Sequence, residues 1–226
     1  MVQIQLILQS PIFRGITEGE LAELFMQIHY QVKTYQKNEL IVSGGDICDR
    51  LLIIQLGSVK AEMIDYSGKT VKIEDIEAPQ PLATAFLFGK ENRFPVTVSA
   101  NNQVEIISIH KEEFVKMLQL NSLILSNYLN AISTRAQFLS KKLKFFSFKT
   151  IRQKIAYYLL EKAGEQLLTI QIQQSQEQLA EMFGVTRPSL ARTLGEMVKD
   201  GLIDNQKRHT IIIMDKDRMN QLLKGG

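Results

Sequence analysis

Between residues 175 and 209 the sequence carries polar and basic side chains at spacings that suit a polyanionic partner. Arg187, Ser189 and Arg192 fall where a helix beginning just after Thr186 would turn them outward. Lys207, Arg208 and His209 form a basic cluster further on, and Ser175 stands at the head of the preceding segment. Guanidinium, ammonium and hydroxyl groups on one surface are the chemistry of nucleic-acid recognition, in which phosphate contacts position and base contacts specify. One residue is out of character. Pro188 sits among the polar side chains, where a helix that must touch a ligand would usually carry a hydrogen-bonding group. Taken alone, each arginine is only a solvated surface charge, so the elements that hold them decide what they are for.

Those elements are legible. Ser175 reads as an N-cap with Gln178 in the capping-box position, and Leu179, Met182 and Phe183 give that helix one apolar face. Gly184 makes a tight turn and Val185 closes it. Leu190, Leu194 and Met197 or Val198 then supply the apolar face of a second helix. Thr186 caps that helix, which places Pro188 in its first turn, where a missing N–H costs no intrahelical bond. Two apolar runs around a basic tip follow, "LIDNQKRHTIIIM", as a β-hairpin wing. Ala180, Gly184, Val185 and Leu190 provide the small, turn and buried positions of a winged helix-turn-helix, and nucleic-acid binding follows from it.

The rest of the chain must carry and orient this module. Residues 11 to 28 have helical spacing, with Thr17 and Glu20 as a capping box before Leu21, Leu24, Phe25 and Ile28. From Tyr30 to Ile109 short apolar or alternating runs ("ELIVSG", "LLIIQLGSVKAEMID", "TVKIEDI", "VTVSA", "VEIISI") are broken by turn residues, including the hairpin "DYSGKT". This is the texture of an all-β sandwich or barrel. A long helical stretch runs from about 111 to 145, in which Leu125, Leu129, Ile132, Ala136, Leu139 and Leu143 alternate at steps of four and three. Part of that seam packs on the chain's own barrel, and its length without an internal partner helix predicts a parallel homodimer. "KKLKFFSFKT" reads as a hinge. The expected architecture is α+β: an N-terminal β-roll (jelly roll) with its helices over 1–110, a long dimerisation helix over 111–146, and a winged helix-turn-helix over 147–226.

Composition narrows the classes. The 226 residues carry a net charge of +3; residues 1–147 hold 15 basic and 15 acidic groups, and residues 148–226 hold 12 and 9. The whole excess therefore lies with the helix-turn-helix, as an anionic partner asks. Cys48 is the only cysteine, so one chain offers neither a disulfide nor a four-thiolate cluster. His29, His110 and His209 share no helical spacing, and no metal site is expected. No nucleophile–base pair or phosphate loop stands out. A cupin-like enzyme or carrier on the roll would need clustered His and Glu ligands on its strands, and the runs show none. No leader segment and no apolar run of membrane-span length is present, so a soluble cytoplasmic protein without a membrane partner is expected.

With roll, long helix and winged helix in that order, the sequence resembles the family of the cyclic-AMP receptor protein and the fumarate–nitrate reduction regulator. The resemblance covers nearly the whole chain. It rests on "GGDICDRLLIIQLGSVKAEMIDYSGKTVKI" in the first half, a cyclic-nucleotide-binding-like roll, and on "SQEQLAEMFGVTRPSLARTLGEMVKDGLI" in the second. It implies a dimeric transcription regulator that reads two DNA half-sites with the second helix of the motif. It also implies that Arg187 and Arg192 aim at guanine O6 and N7, and that Ser175, Thr186 and Ser189 contact phosphates. Lys207, Arg208 and His209 would reach flanking phosphates or the minor groove. Relatives commonly have glutamate where this chain has Pro188, which can at most touch a thymine methyl; a different half-site is expected. RNA polymerase and a small-molecule effector are the further partners the resemblance allows.

The resemblance breaks at the effector pocket. Members that bind cyclic AMP carry Gly-Glu-Leu for the ribose and, about ten residues on, Arg-Ser for the phosphate. Here Leu82-Ala83-Thr84 and Phe94-Pro95 stand in those places, with Arg93 one residue early. Leu139, followed by Ser140, replaces the polar residue that relatives set near the purine. A pocket of Ala83, Thr84, Ala85, Phe86, Phe94, Pro95, Val96, Leu139 and Ser140 would be mainly apolar, and a buried phosphate without a cation is costly. The expectation is a divergent sensor that does not take cyclic AMP. Three alternatives stay open: a roll filled by its own side chains, an apolar or aromatic ligand (haem included, with no obvious axial histidine), and a cyclic-nucleotide-responsive activator.

Overall fold

The computed structural model describes residues 2–64, 68–164, 168–205 and 209–224. The chain divides into two units, Met1–Ala136 and Gln137–Gly226.

The first unit opens with α1 (Ile4–Ile7), a 3-10 turn at Pro11–Phe13 and α2 (Glu18–Gln27). The helical spacing from residue 11 thus becomes α-helix only from Glu18. Ile12 and Phe13 are fully buried, but Pro11 and the turn deliver them to the core. Thr17 caps α2 as expected: its Oγ1 accepts from the Glu20 N–H (3.3 Å), while the Glu20 carboxylate accepts from the Thr17 N–H (2.9 Å).

Eight strands follow: β1 (Tyr30–Tyr35), β2 (Leu40–Val42), β3 (Arg50–Leu56), β4 (Ser58–Ile64), β5 (Thr70–Glu77), β6 (Gln80–Leu82), β7 (Thr97–Ala100) and β8 (Val104–His110). They form two antiparallel four-stranded sheets, ordered β1-β8-β3-β6 and β2-β7-β4-β5. Ile53, Ile54 and Ile107 from the first sheet and Val59, Val98 and Ala100 from the second enter one core, together with Phe13, Leu21 and Phe25. Cys48 lies in that core, where burial pushes its thiol up to about 11, and the Asp49 charge adds to the shift.

Gly57 divides the long apolar run into β3 and β4. Its φ is +87°, and a Cβ there would meet the Gln103 carbonyl oxygen and lie 2.7 Å from Asn102 Oδ1. Gly68 has a similar φ of +80° with open space around it. Gly57→Ala is therefore expected to lower unfolding free energy by about 2 kcal/mol or more, whereas Gly68→Ala loses only the backbone component, about 1 kcal/mol. Urea titrations of both variants check this, and equal midpoints would refute it.

The long helix expected over 111–145 is interrupted. It forms α3 (Lys111–Leu120) and α4 (Ser122–Ser147), separated by Asn121 in an extended conformation (φ −138°, ψ 108°). The Asn121 side chain is the cause. Its Oδ1 accepts from the N–H groups of Leu123 (3.0 Å) and Ile124 (3.1 Å), so it stops one helix and caps the next. The hinge read from "KKLKFFSFKT" shrinks as well, because α4 continues to Ser147 and leaves only residues 148–150 as a connection.

In the second unit α5 (Ile151–Ala163) starts on a Thr150–Gln153 capping box. Then come β9 (Thr169–Gln171), α6 (Gln176–Phe183), α7 (Arg187–Lys199), β10 (Ile203–Asp204), β11 (Thr210–Ile213) and α8 (Lys216–Lys224). The β10–β11 hairpin is the expected wing, and β9 adds a third strand on the far side of β11. Ile155, Leu159, Phe183, Leu190, Met197 and Met219 form the core of this unit. Among the described residues no helix is long and apolar enough to cross a membrane.

Candidate functional site

The helix-turn-helix is built by its caps. Ser175 Oγ accepts from the Gln178 N–H (3.2 Å), and Gln178 Oε1 accepts from the Ser175 N–H (2.8 Å). Leu179, Ala180 and Phe183 are buried, whereas Met182, expected on that face, is 41% exposed; Ala180 takes its place. Gly184 ends α6 in the left-handed region (φ 64°, ψ 39°), and the Val185 N–H closes the turn onto the Ala180 carbonyl (2.9 Å). Lys154 donates to the Phe183 carbonyl (2.9 Å), which places a cation at the negative end of α6.

Thr186 caps α7, accepting from the Ser189 N–H at 3.3 Å, and its hydroxyl lies 2.9 Å from the Ser189 hydroxyl. Pro188 is the second residue of α7, as a first-turn proline should be. Leu190, Leu194 and Met197 face the core, so by helical geometry Pro188, Arg192, Gly195 and Lys199 face directly away from it. Arg187 and Arg192 are exposed, and neither makes a hydrogen bond or ion pair among the described residues.

Ser175, Arg187 and His209 come together around one concavity of about 440 Å³, with Gln176, Asn205 and Thr210 also on its wall. It lies between the start of α6, the start of α7 and the wing strand β11. Gln176, Asn205 and Lys199 join the candidate surface without having been singled out in the sequence; placing them needs the packing of wing against helix. Lys207 and Arg208 lie outside the described residues, and His209 beside them is exposed with φ +58°.

The roll holds a second candidate site, a cavity of about 520 Å³. Ala83, Thr84, Ala85, Phe86, Phe94, Pro95 and Val96 all line it, as expected. It is neither filled by the chain's own side chains nor purely apolar, because Glu74, Asp75, Glu77 and Arg135 share the wall. Leu139 and Ser140 fall further along α4, in the second unit; from α4 the lining residues are Ala131 and Arg135. Arg93 lies outside the regular strands. It forms one isolated bridge with Ile47, and its Nη1 donates to the Gly45 carbonyl (2.6 Å). The Thr84 carbonyl accepts from the Tyr128 hydroxyl (2.8 Å), whose ionisation burial pushes up to about 12.

On α4 two stripes diverge. Ile124 and Tyr128 are buried in the roll core and continue into Ala131 and Arg135. The other stripe is bare: Leu125, Leu129, Leu139 and Leu143 are 37%, 53%, 49% and 72% exposed, and Ala136 is exposed with them. Ile132 alone of the seam is half-buried, packing against the chain's own core.

Known proteins match this chain in the same two blocks. Residues 32–121 match the cyclic nucleotide-binding domain family, and residues 153–222 match the Crp-like helix-turn-helix domain family. The cyclic AMP receptor protein of Thermus thermophilus is 22% identical over 194 residues, covering 86% of this chain and 88% of that protein. The catabolite activator protein of Thermus thermophilus shares the fold at a TM-score of 0.56 and 19% identity, over 95% of this chain and 99% of that one. A transcriptional regulator from Thermotoga maritima is 32% identical over 56% of this chain and 97% of its own length, with a TM-score of 0.52.

Proposed function

The chain belongs to the Crp/Fnr family of DNA-binding transcription regulators, and from that premise we propose that it acts as a homodimer reading two half-sites about one helical turn apart. One observation carries the reading. The outward face of a firmly capped α7 presents Arg192, with the exposed Arg187 in its first turn, and neither guanidinium has a partner among the described residues.

In this reading Arg187 and Arg192 contact guanine edges in the major groove, and Ser175, Thr186 and Ser189 contact phosphates. Lys207, Arg208 and His209 extend the contact to flanking DNA. The bare leucine stripe of α4 supports a partner helix from a second copy, since apolar rows of this kind are the seam of parallel coiled coils. The roll is the sensor, with the cavity between Glu74 and Val96 as its effector site. Its effector is not cyclic AMP in this reading: the segment from Leu82 to Val96 brings no guanidinium into the cavity, and Arg135, which α4 brings, shares the wall with the carboxylates of Glu74, Asp75 and Glu77. The match to the cyclic nucleotide-binding domain family favours the competing reading, a cyclic-nucleotide-responsive activator. Calorimetry with cyclic AMP and cyclic GMP separates the two.

Salt tests the DNA reading. Neutralised phosphates release their counterions, so a dimer touching about six to ten phosphates should lose about 10³- to 10⁵-fold in affinity between 50 and 200 mM salt. Fluorescence anisotropy with a labelled promoter fragment measures this, and salt-insensitive binding would remove the helix ends and wing from the backbone.

A further inference from the structure

The strand register fixes which side chains look into the roll. On β4 and β5, Val59 pairs with Ile76, Ala61 with Glu74, and Met63 with Val71. β7 continues the rows, with Ala100 opposite Val59 and Val98 opposite Ala61. Directly opposed residues of an antiparallel pair share a face. Val59, Ala61, Val98 and Ala100 are all buried, so that face is the interior.

Glu74 therefore shares that face, at the end of the row Val98–Ala61–Glu74, where it lines the cavity while staying exposed. Of the other charges of these strands, Lys60 pairs with Glu62 (3.1 Å) and Lys72 with Asp75 (2.6 Å), while Glu77 stands on the outer face opposite Ser58. Glu74 is the one charged side chain on the inner face of β4 and β5 among the described residues. It makes no ion pair or side-chain hydrogen bond there. Ala61 opposite it is small, which leaves the carboxylate room to be approached from the cavity.

Leu82, Phe86, Phe94, Val96 and Val98 supply the apolar part of the wall, beside Asp75, Glu77 and Arg135. A carboxylate on the cavity wall repels a phosphate diester and favours a cation, and because Glu74 is also exposed, solvent screens that preference in part. Building on the reading of the roll as the effector site, we propose that its cavity takes a small organic cation, with an ammonium or guanidinium group against Glu74 and an apolar body along Phe86 and Val96. Arg135 lines the same cavity from α4 and can receive a carboxylate at the ligand's other end, as in an amino acid.

The test uses the full-length protein and probes that share a phenylethyl body but differ in charge: phenethylamine, L-phenylalanine, 2-phenylethanol and 3-phenylpropionate. By calorimetry, at least one of the two ammonium-bearing probes should bind about tenfold or more tighter than the alcohol and the acid, as a charge-assisted hydrogen bond predicts. Tighter binding of L-phenylalanine than of phenethylamine assigns an amino-acid-like ligand, and the reverse a simple amine. Glu74→Gln should erase the preference at an unchanged melting temperature. The proposal is overturned if the acid or the alcohol binds as tightly as the ammonium probes, if none of the probes binds, or if Glu74→Gln keeps the preference. Promoter binding measured without probe keeps the two ideas apart. A DNA-binding dimer with no ammonium preference loses this proposal alone, while ammonium selectivity without DNA binding sinks the regulator reading alone.

Discussion

Leu129→Glu is expected to convert the protein to a monomer that no longer holds a two-half-site operator. Leu129 is 53% exposed in the middle of the bare stripe, flanked by Leu125 on one side and by Ala136 and Leu139 on the other. Burying a leucine contributes about 1.5–3 kcal/mol, and a two-fold seam buries each position twice. A glutamate in the same place also meets its own copy across the axis, adding repulsion and desolvation. Together these exceed what one substitution elsewhere on α4 can do. Sedimentation equilibrium reads the outcome, with Asn130→Glu, off the stripe, as the control. A Leu129→Glu protein that stays as dimeric as the control would place the interface elsewhere.

Arg192→Ala is expected to remove sequence selectivity while folding and dimerisation persist. The side chain is exposed on the outward face of α7 and has no partner among the described residues, so its loss leaves no hole in the core. A bidentate guanidinium–guanine contact discriminates by about 1–3 kcal/mol, or roughly 5- to 150-fold for each half-site. Because the dimer loses the contact in both half-sites, the ratio of operator to scrambled-DNA affinity should fall by about the square of that factor, with the scrambled affinity nearly unchanged. Arg192→Lys should fall between, because an ammonium offers no fixed fork. A ratio unchanged in Arg192→Ala would take this residue out of the base contacts.

The local signals in the sequence were reliable and the non-local ones were not. The caps at Thr17, Ser175 and Thr186 and the turn at Gly184 rest on residues three or four apart, and each is where its spacing put it. The break at Asn121 was hidden because apolar residues run through it at helical spacing, although an asparagine before Leu123 and Ile124 is itself a capping signal. β9 is three residues long and exists because it pairs with β11 some forty residues on. Half of the roll cavity is visible in the sequence as the small and aromatic run around Ala83 and Phe94. Glu74 was not, because its direction depends on the register with Ala61 and on an irregularity in that pairing just beyond it. Arg135 needed the turn of α4 that buries Ile124 and Tyr128, which no periodicity of the leucine seam reveals.

Pro188 has a consequence for time as well as for sequence preference. A helix start ordinarily offers a cluster of free N–H groups to a phosphate. In α7 the Ser189 N–H is taken by Thr186, and Pro188 has none, so the first turn offers little beyond the N–H of Arg187. In the proposed reading α7 therefore meets the DNA backbone through the Thr186 and Ser189 hydroxyls rather than through its amides, and shares that task with Ser175 and the wing. A reader that grips phosphate with fewer amides at its reading edge dwells more briefly on each wrong site, because the phosphate contacts supply its non-specific affinity.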